Sequence, residues 1–84
     1  MRLKVLYLAR LRDVLGRGSE ELDVPAASTV GALIDHLRQR GDPWARELAA
    51  GRAFRVAVNQ EMSASAAALS DGDEVALFLP VTGG

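Results

Sequence analysis

Val30, Leu33, Ile34 and Leu37 fall at i, i+3, i+4 and i+7, a single apolar stripe, and the spacing predicts one helix from about Thr29 to Arg40. Asp35, His36, Arg38, Gln39 and Arg40 occupy its other faces. Ser28 or Thr29 can accept a hydrogen bond from a free N–H of the first turn, and Gly41 closes the C-terminus. Gly31 in that first turn costs up to ~1 kcal/mol relative to Ala. A lone stripe needs one apolar surface to lie against, and the flanking sequence reads as strands that can supply it.

Arg2 to Leu8 alternates with Leu3, Val5 and Tyr7 on one side. Ala9 to Leu15 switches to helical spacing and ends at Gly16, where a left-handed residue is wanted. Glu20 to Val24 is a short strand with Leu22 and Val24 inward, stopped by Pro25. After the main helix, Asp42 reads as the cap of a short helix with Pro43 in its first turn, carrying Trp44, Ala45, Leu48 and Ala49 and ending at Gly51. Phe54 to Asn59 is a strand with Phe54, Val56 and Val58 inward and Arg55, Ala57 and Asn59 outward. Asn59-Gln60-Glu61 turns, and Met62 begins a brief edge strand. Ser63 to Ser70 is weakly specified with Leu69 as anchor, Asp71-Gly72-Asp73 turns, and Glu74 to Leu79 is the last strand. Strands at both ends around one long helix predict an α+β chain. The arrangement is a mixed sheet of four to five strands wrapped around that helix, first and last strands adjacent and parallel at its centre: the β-grasp, or ubiquitin-like, fold. A split βαβ fold is the alternative, but the second helix is too short for it.

The chain has 84 residues, read as a single domain over 1–84 with a mobile tail from about residue 80. It contains no cysteine, which removes disulfides and thiolate metal sites. Its apolar content of 49% suffices for a core. A net charge of −1, from 10 basic and 11 acidic residues, argues against a nucleic-acid or anionic-membrane partner. No apolar run approaches the ~20 residues that span a bilayer. A signal peptide is not expected after Met1-Arg2-Leu3-Lys4, and the expected location is the cytoplasm.

Leu3, Val5, Tyr7, Leu22, Val24, Val30, Leu33, Ile34, Leu37, Val56, Val58, Leu69, Val75 and Leu77 fill one core. Leu6, Leu8, Met62, Ala76 and Phe78 are left on the opposite parity of their strands. With one helix layer, that face is open to water, and an apolar cluster there marks a partner surface. The competing expectation is that the short helix or a loop covers Leu8 and Phe78.

The usual catalytic signals are weak. Glu20/Glu21 and Asp71/Asp73 read as solvated pairs, because catalytic carboxylates need desolvation. His36 has no histidine or cysteine neighbour and falls on the polar side of its helix. Ser63, Ser65 and Ser70 lack a nearby histidine, and no phosphate-cradling glycine loop is present. Arg10, Arg12 and Arg17 cluster around the first short helix, either as a solubilising face or, for Arg12 near Leu8, as polar rim to the apolar patch. No metal site and no bound cofactor are expected, and the chain alone is not expected to catalyse a reaction.

The exception is Leu79-Pro80-Val81-Thr82-Gly83-Gly84, which holds no ionisable side chain. Gly83 and Gly84 lack a Cβ and can thread a narrow slot, and Pro80 stiffens their root. The expectation is that the α-carboxylate of Gly84 is the reactive group.

Met1 to Gly16, Val56 to Gln60, Leu69 to Val75 and Phe78 to Gly84 resemble the small subunits of molybdopterin synthase, ubiquitin-like sulfur carriers, over essentially the whole chain. The Gly72-Asp73-Glu74-Val75 strand leading to Pro80-Val81-Thr82-Gly83-Gly84 is the most specific part. Leu79 is a departure, since the family often has a second proline there. The resemblance implies that an activating enzyme adenylates Gly84 with ATP. The carboxylate becomes a thiocarboxylate, and the tail enters the large synthase subunit to give sulfur to cyclic pyranopterin monophosphate. It assigns Gly84 and Gly83 to the chemistry and Leu8, Arg12, Met62, Phe78, Pro80, Val81 and Thr82 to partner binding. Alternatives on the same fold are a carrier for thiamine or cysteine synthesis and a ubiquitin-like modifier joined to lysines through Gly84. Thiamine carriers usually lack the Asp42–Gly51 helix.

Overall fold

The computed structural model describes residues 1–49 and 54–79. Its elements run β1 (Arg2–Tyr7), α1 (Arg10–Leu15), β2 (Ser19–Asp23), α2 (Val30–Arg38), α3 (Trp44–Glu47), β3 (Arg55–Val58), β4 (Glu61–Met62) and β5 (Glu74–Phe78). The strands form one five-stranded sheet in the order β2-β1-β5-β3-β4. β1 pairs in parallel with β5, and the β1–β2, β3–β5 and β3–β4 pairings are antiparallel. This is the β-grasp predicted from the sequence, with the first and last strands side by side at the centre.

The alternation of β1 decides what lies under α2. Leu3, Val5 and Tyr7 are fully buried, and the registers Val5↔Val75, Tyr7↔Leu77 and Val56↔Leu77 carry the same face across the central strands. The stripe Val30, Leu33, Ile34 and Leu37 of α2 closes over it. Thr29 caps that helix, its hydroxyl oxygen accepting from the Ala32 N–H at 3.1 Å. Gly72, at φ 85°, makes the turn into β5, and a glycine enters that left-handed region without Cβ strain. Arg2 and Asp71 then stitch the turn to β1, the Arg2 N–H donating to Asp71 Oδ1 at 2.6 Å and the Gly72 N–H to the Arg2 carbonyl at 2.8 Å.

Four sequence expectations change. The main helix ends at Arg38, two residues before the predicted Arg40, because its last turn tightens: the Arg40 N–H bonds to the Leu37 carbonyl at 3.1 Å, and Gly41 follows at φ 87°. Asp42 does not cap α3. Pro43 occupies the cap position, no side chain accepts there, and the turn is closed by the Ala45 N–H donating to the Gly41 carbonyl at 3.0 Å. Leu22 and Val58 are only partly buried against the core, since each lies on or toward an outer strand. Leu11, Trp44 and Leu48 join the core, so both short helices contribute packing to the end of the sheet beside α2. The predicted end of the short helix at Gly51 lies outside the described residues.

Candidate functional site

The sheet face turned away from α2 is built by register. Leu6 pairs with Ala76, Ala76 with Ala57, and Ala57 with Met62. Directly paired strand residues share a face, so these four make an unbroken apolar row across four strands. Beyond it, toward the end of β5, Phe78 pairs with Arg55, and the Leu8 N–H donates to the Leu77 carbonyl at 3.1 Å, setting Leu8 beside Phe78. Leu8 is 42% exposed and Met62 61% exposed, the exposed large apolar side chains among the described residues. Leu6, Ala57, Ala76 and Phe78 are half-buried.

The five residues left over by strand parity therefore share one surface. The alternative, in which α1 covers Leu8, does not hold. α1 sends Leu11 into the core, and the Leu11 N–H bonds to the Leu8 carbonyl at 3.1 Å, so the chain turns inward immediately after Leu8 and leaves that side chain outside. Ala57, which the sequence placed outward without adding it to the cluster, is the residue that makes the row continuous from Ala76 to Met62.

Arg12 is exposed on α1, one turn beyond Leu8. Its stem lies across Gly18: a Cβ built there would meet Arg12 Nε at 3.4 Å and Cδ at 3.6 Å. The arginine therefore lies along the loop between α1 and β2, within ordinary contact distance of such a Cβ. Pro80, Val81, Thr82, Gly83 and Gly84, the remaining expected site residues, lie outside the described residues. What the structure places is their root. Phe78 ends β5 on the apolar face, and Leu79, the next residue, packs against the core.

Among the described residues no three histidine, cysteine or carboxylate side chains converge as a metal would need. Glu20 is a carboxylate whose surroundings differ from those expected. It was read as half of a solvated pair, but Val5↔Glu20 pairing puts it on the helix-facing side of the sheet, while Glu21 pairs with Lys4 on the other. The Tyr7 hydroxyl donates to Glu20 Oε2 at 2.6 Å, and Arg40 donates from both terminal nitrogens at 2.8 Å. Arg17 adds an ion pair at 3.3 Å. The Arg40 hydrogen bonds above all hold the Glu20 carboxyl below its ordinary pKa of 4.5, with Tyr7 reinforcing them against the cost of burial. Burial, and then the bond to Glu20, push the Tyr7 phenol well above its usual range. Arg40 also lies over the Trp44 ring, 4.5 Å from its centroid, and Trp44 meets Tyr7 edge to face at 5.2 Å. This closed cluster ties β1, β2, the end of α2 and α3 together. A sequence signal existed, since Glu20 shares strand parity with the inward Leu22 and Val24.

Glu47 is a second buried carboxylate, 2% exposed, with Arg46 Nε at 3.3 Å and Arg10 Nε at 3.6 Å. Its neighbours on α3 gave no hint of this.

Residues 5–84 match the ThiS family. The Escherichia coli molybdopterin synthase sulfur carrier subunit is 43% identical over 84 residues, covering 98% of this chain and 99% of that protein. Its Haemophilus influenzae counterpart is 42% identical over 82 residues, with the same coverage. Among solved structures, the crystal structure of SAMP1 from Haloferax volcanii superposes with a TM-score of 0.84 at 31% identity, over 100% of both chains. By this full-length kinship the chain belongs to the ThiS family, and its relatives there include the sulfur carrier subunits of molybdopterin synthase.

Proposed function

We propose that this chain is the sulfur-carrying small subunit of a molybdopterin synthase and that Gly84 holds the sulfur. The observation that carries this reading is identity of 43% to the E. coli subunit along nearly the whole of both chains. The apolar face that runs from this row to Leu8 and Phe78 supports it, because it offers a docking surface at the root of the tail. In this reading an activating enzyme lets a Gly84 carboxylate oxygen attack the α-phosphorus of ATP, and pyrophosphate leaves. A sulfur nucleophile then displaces AMP from the acyl carbon and leaves a thiocarboxylate. The large subunit grips Leu8, Met62 and Phe78 with Arg12 at the rim, and Pro80, Val81, Thr82 and Gly83 line the slot to its active site. There the thiocarboxylate sulfur bonds to a carbon of cyclic pyranopterin monophosphate, and water then cleaves the acyl carbon–sulfur bond, leaving the sulfur on the pterin and returning Gly84 as carboxylate. The chain itself binds no cofactor and acts in the cytoplasm.

The test is deletion of Gly84 in a synthase reconstituted with its large subunit and precursor. Molybdopterin formation stops if the reading is right and continues if it is wrong. A second reading, attachment to lysines as a protein modifier, is favoured by the likeness to SAMP1, a small archaeal modifier protein. Isopeptide-linked adducts of this chain on other proteins would support it.

A further inference from the structure

A cleft of about 280 Å³ opens between α2 and the β3–β4 edge of the sheet, and of its lining the function proposed above uses Met62 alone. Ile34, Phe54 and Val56 give it an apolar lining, with Met62 where the cleft meets the outer face. Arg38 and Arg55 are the charged residues along it, and no carboxylate lines it among the described residues. Arg38 is held by Asp35 through Nη1 at 3.2 Å, while its Nε is buried without an acceptor. Arg55 makes no ion pair among the described residues. Arg38 thus comes to the cleft from the helix side already paired, while Arg55, paired with Phe78, brings its charge to the rim from the outer face, beside Met62.

The strand pairing adds direction. The Asn59 N–H donates to the Glu74 carbonyl at 2.8 Å, so by alternation Arg55 and Ala57 point their backbone groups at β5. Val58 and Val56 point theirs at β4, which answers them with Glu61 and with the Ser63 N–H on the Val56 carbonyl at 3.0 Å. Continued by one step, the same alternation turns the backbone of Phe54 toward the cleft, past the end of β4. None of the described residues hydrogen-bonds to it there. After Ser63 the chain leaves the edge, and Ser65 lies on α2, where the Gly31 N–H donates to the Ser65 carbonyl at 2.9 Å. A Cβ on Gly31 would stand 3.3 Å from that oxygen, a tight contact that the glycine avoids.

We propose that this cleft docks an extended segment of a partner protein with apolar side chains flanking a carboxylate. The segment pairs briefly with the Phe54 backbone as a continuation of β4 and sets an apolar side chain against Ile34 and Val56. Its carboxylate, on the opposite parity of the segment from that side chain, meets Arg55 at the outer rim. This surface is separate from the tail chemistry, so its failure would leave the sulfur-carrier reading standing.

The full chain, followed by amide proton–nitrogen NMR, is titrated with the acetylated, amidated peptide Leu-Val-Glu-Val-Leu and with the same peptide carrying Gln for Glu. The expected result is saturable shifts centred on Gly31, Ile34, Phe54 and Met62, with affinity lowered at least about tenfold by the Gln peptide and by Arg55→Glu. Arg55→Lys retains most of the binding, which separates loss of charge from loss of fold. Equal affinity for the two peptides would overturn the proposal. So would shifts centred on Leu6 and Ala76 with none at Gly31 and Ile34, or none at all up to the solubility limit of the peptide.

Discussion

Glu20 shows how one register decides the environment of a side chain. Paired with Val5, it faces the helix side of the sheet and collects the Tyr7 hydroxyl and both terminal nitrogens of Arg40. Its side chain is 11% exposed, so these are charge-assisted bonds with little solvent screening. Glu20→Gln is expected to cost about 2 kcal/mol near neutral pH. The pH dependence has a fixed sign. The folded carboxyl titrates below the ordinary 4.5, so its stabilisation is present above that pH and is lost as pH falls through the lower folded value. Thermal melts of wild type and Glu20→Gln should therefore differ most above pH 4.5 and converge in stronger acid. Thr29→Ala is a simpler case: it removes the acceptor for the Ala32 N–H and should cost about 1 kcal/mol in denaturant unfolding. The cap was legible to within Ser28 or Thr29, because an N-cap is a local event. The Glu20 cluster was not, because it joins residues from β1, β2 and the segment after α2, and a paired-carboxylate motif says nothing of which strand lies opposite.

The short helices mark where periodicity loses its force. α2 spans two turns and more, and its stripe names every core residue it carries. α1 has six residues and α3 four, so apolar spacing there cannot tell a buried side chain from an exposed one. Leu11 and Leu48 turn out fully buried. Leu11→Ala and Leu48→Ala should each lower unfolding stability by about 3 kcal/mol in urea titrations, as deletions from a filled core do. The strands behave differently, because period-two alternation sorts residues into two faces and only topology must be added to say which face is covered. The outer row Leu6, Ala76, Ala57 and Met62 follows from that combination. Leu8→Asp and Met62→Asp should change stability by less than about 0.5 kcal/mol, since both side chains already meet water. The same variants should weaken binding to the large synthase subunit by at least about tenfold in calorimetry. Phe78→Asp should do so too while leaving the domain folded.

For the molecule taken whole, the parallel pairing of β1 with β5 sets the geometry of function. It brings the end of β5 beside the β1–α1 junction, so that Leu8 and Phe78 flank the point where Leu79 leaves the sheet. Chain order alone was enough to predict this, since strands at both ends and one stripe-bearing helix between them leave few ways to close a sheet. The tail beyond Leu79 was legible only as chemistry: two glycines, a proline and a carboxylate, with no competing reactive group elsewhere in the sequence. The most direct measurement is the intact mass of the protein after incubation with an adenylating enzyme of the kind proposed, ATP and a sulfur source, followed by fragmentation of the C-terminus. The expected result is the mass increment of one oxygen replaced by sulfur, confined to the fragment ending at Gly84 and absent when ATP is withheld. An unchanged Gly84 in a protein that the activating enzyme demonstrably binds, or a mass shift located elsewhere in the chain, would contradict it.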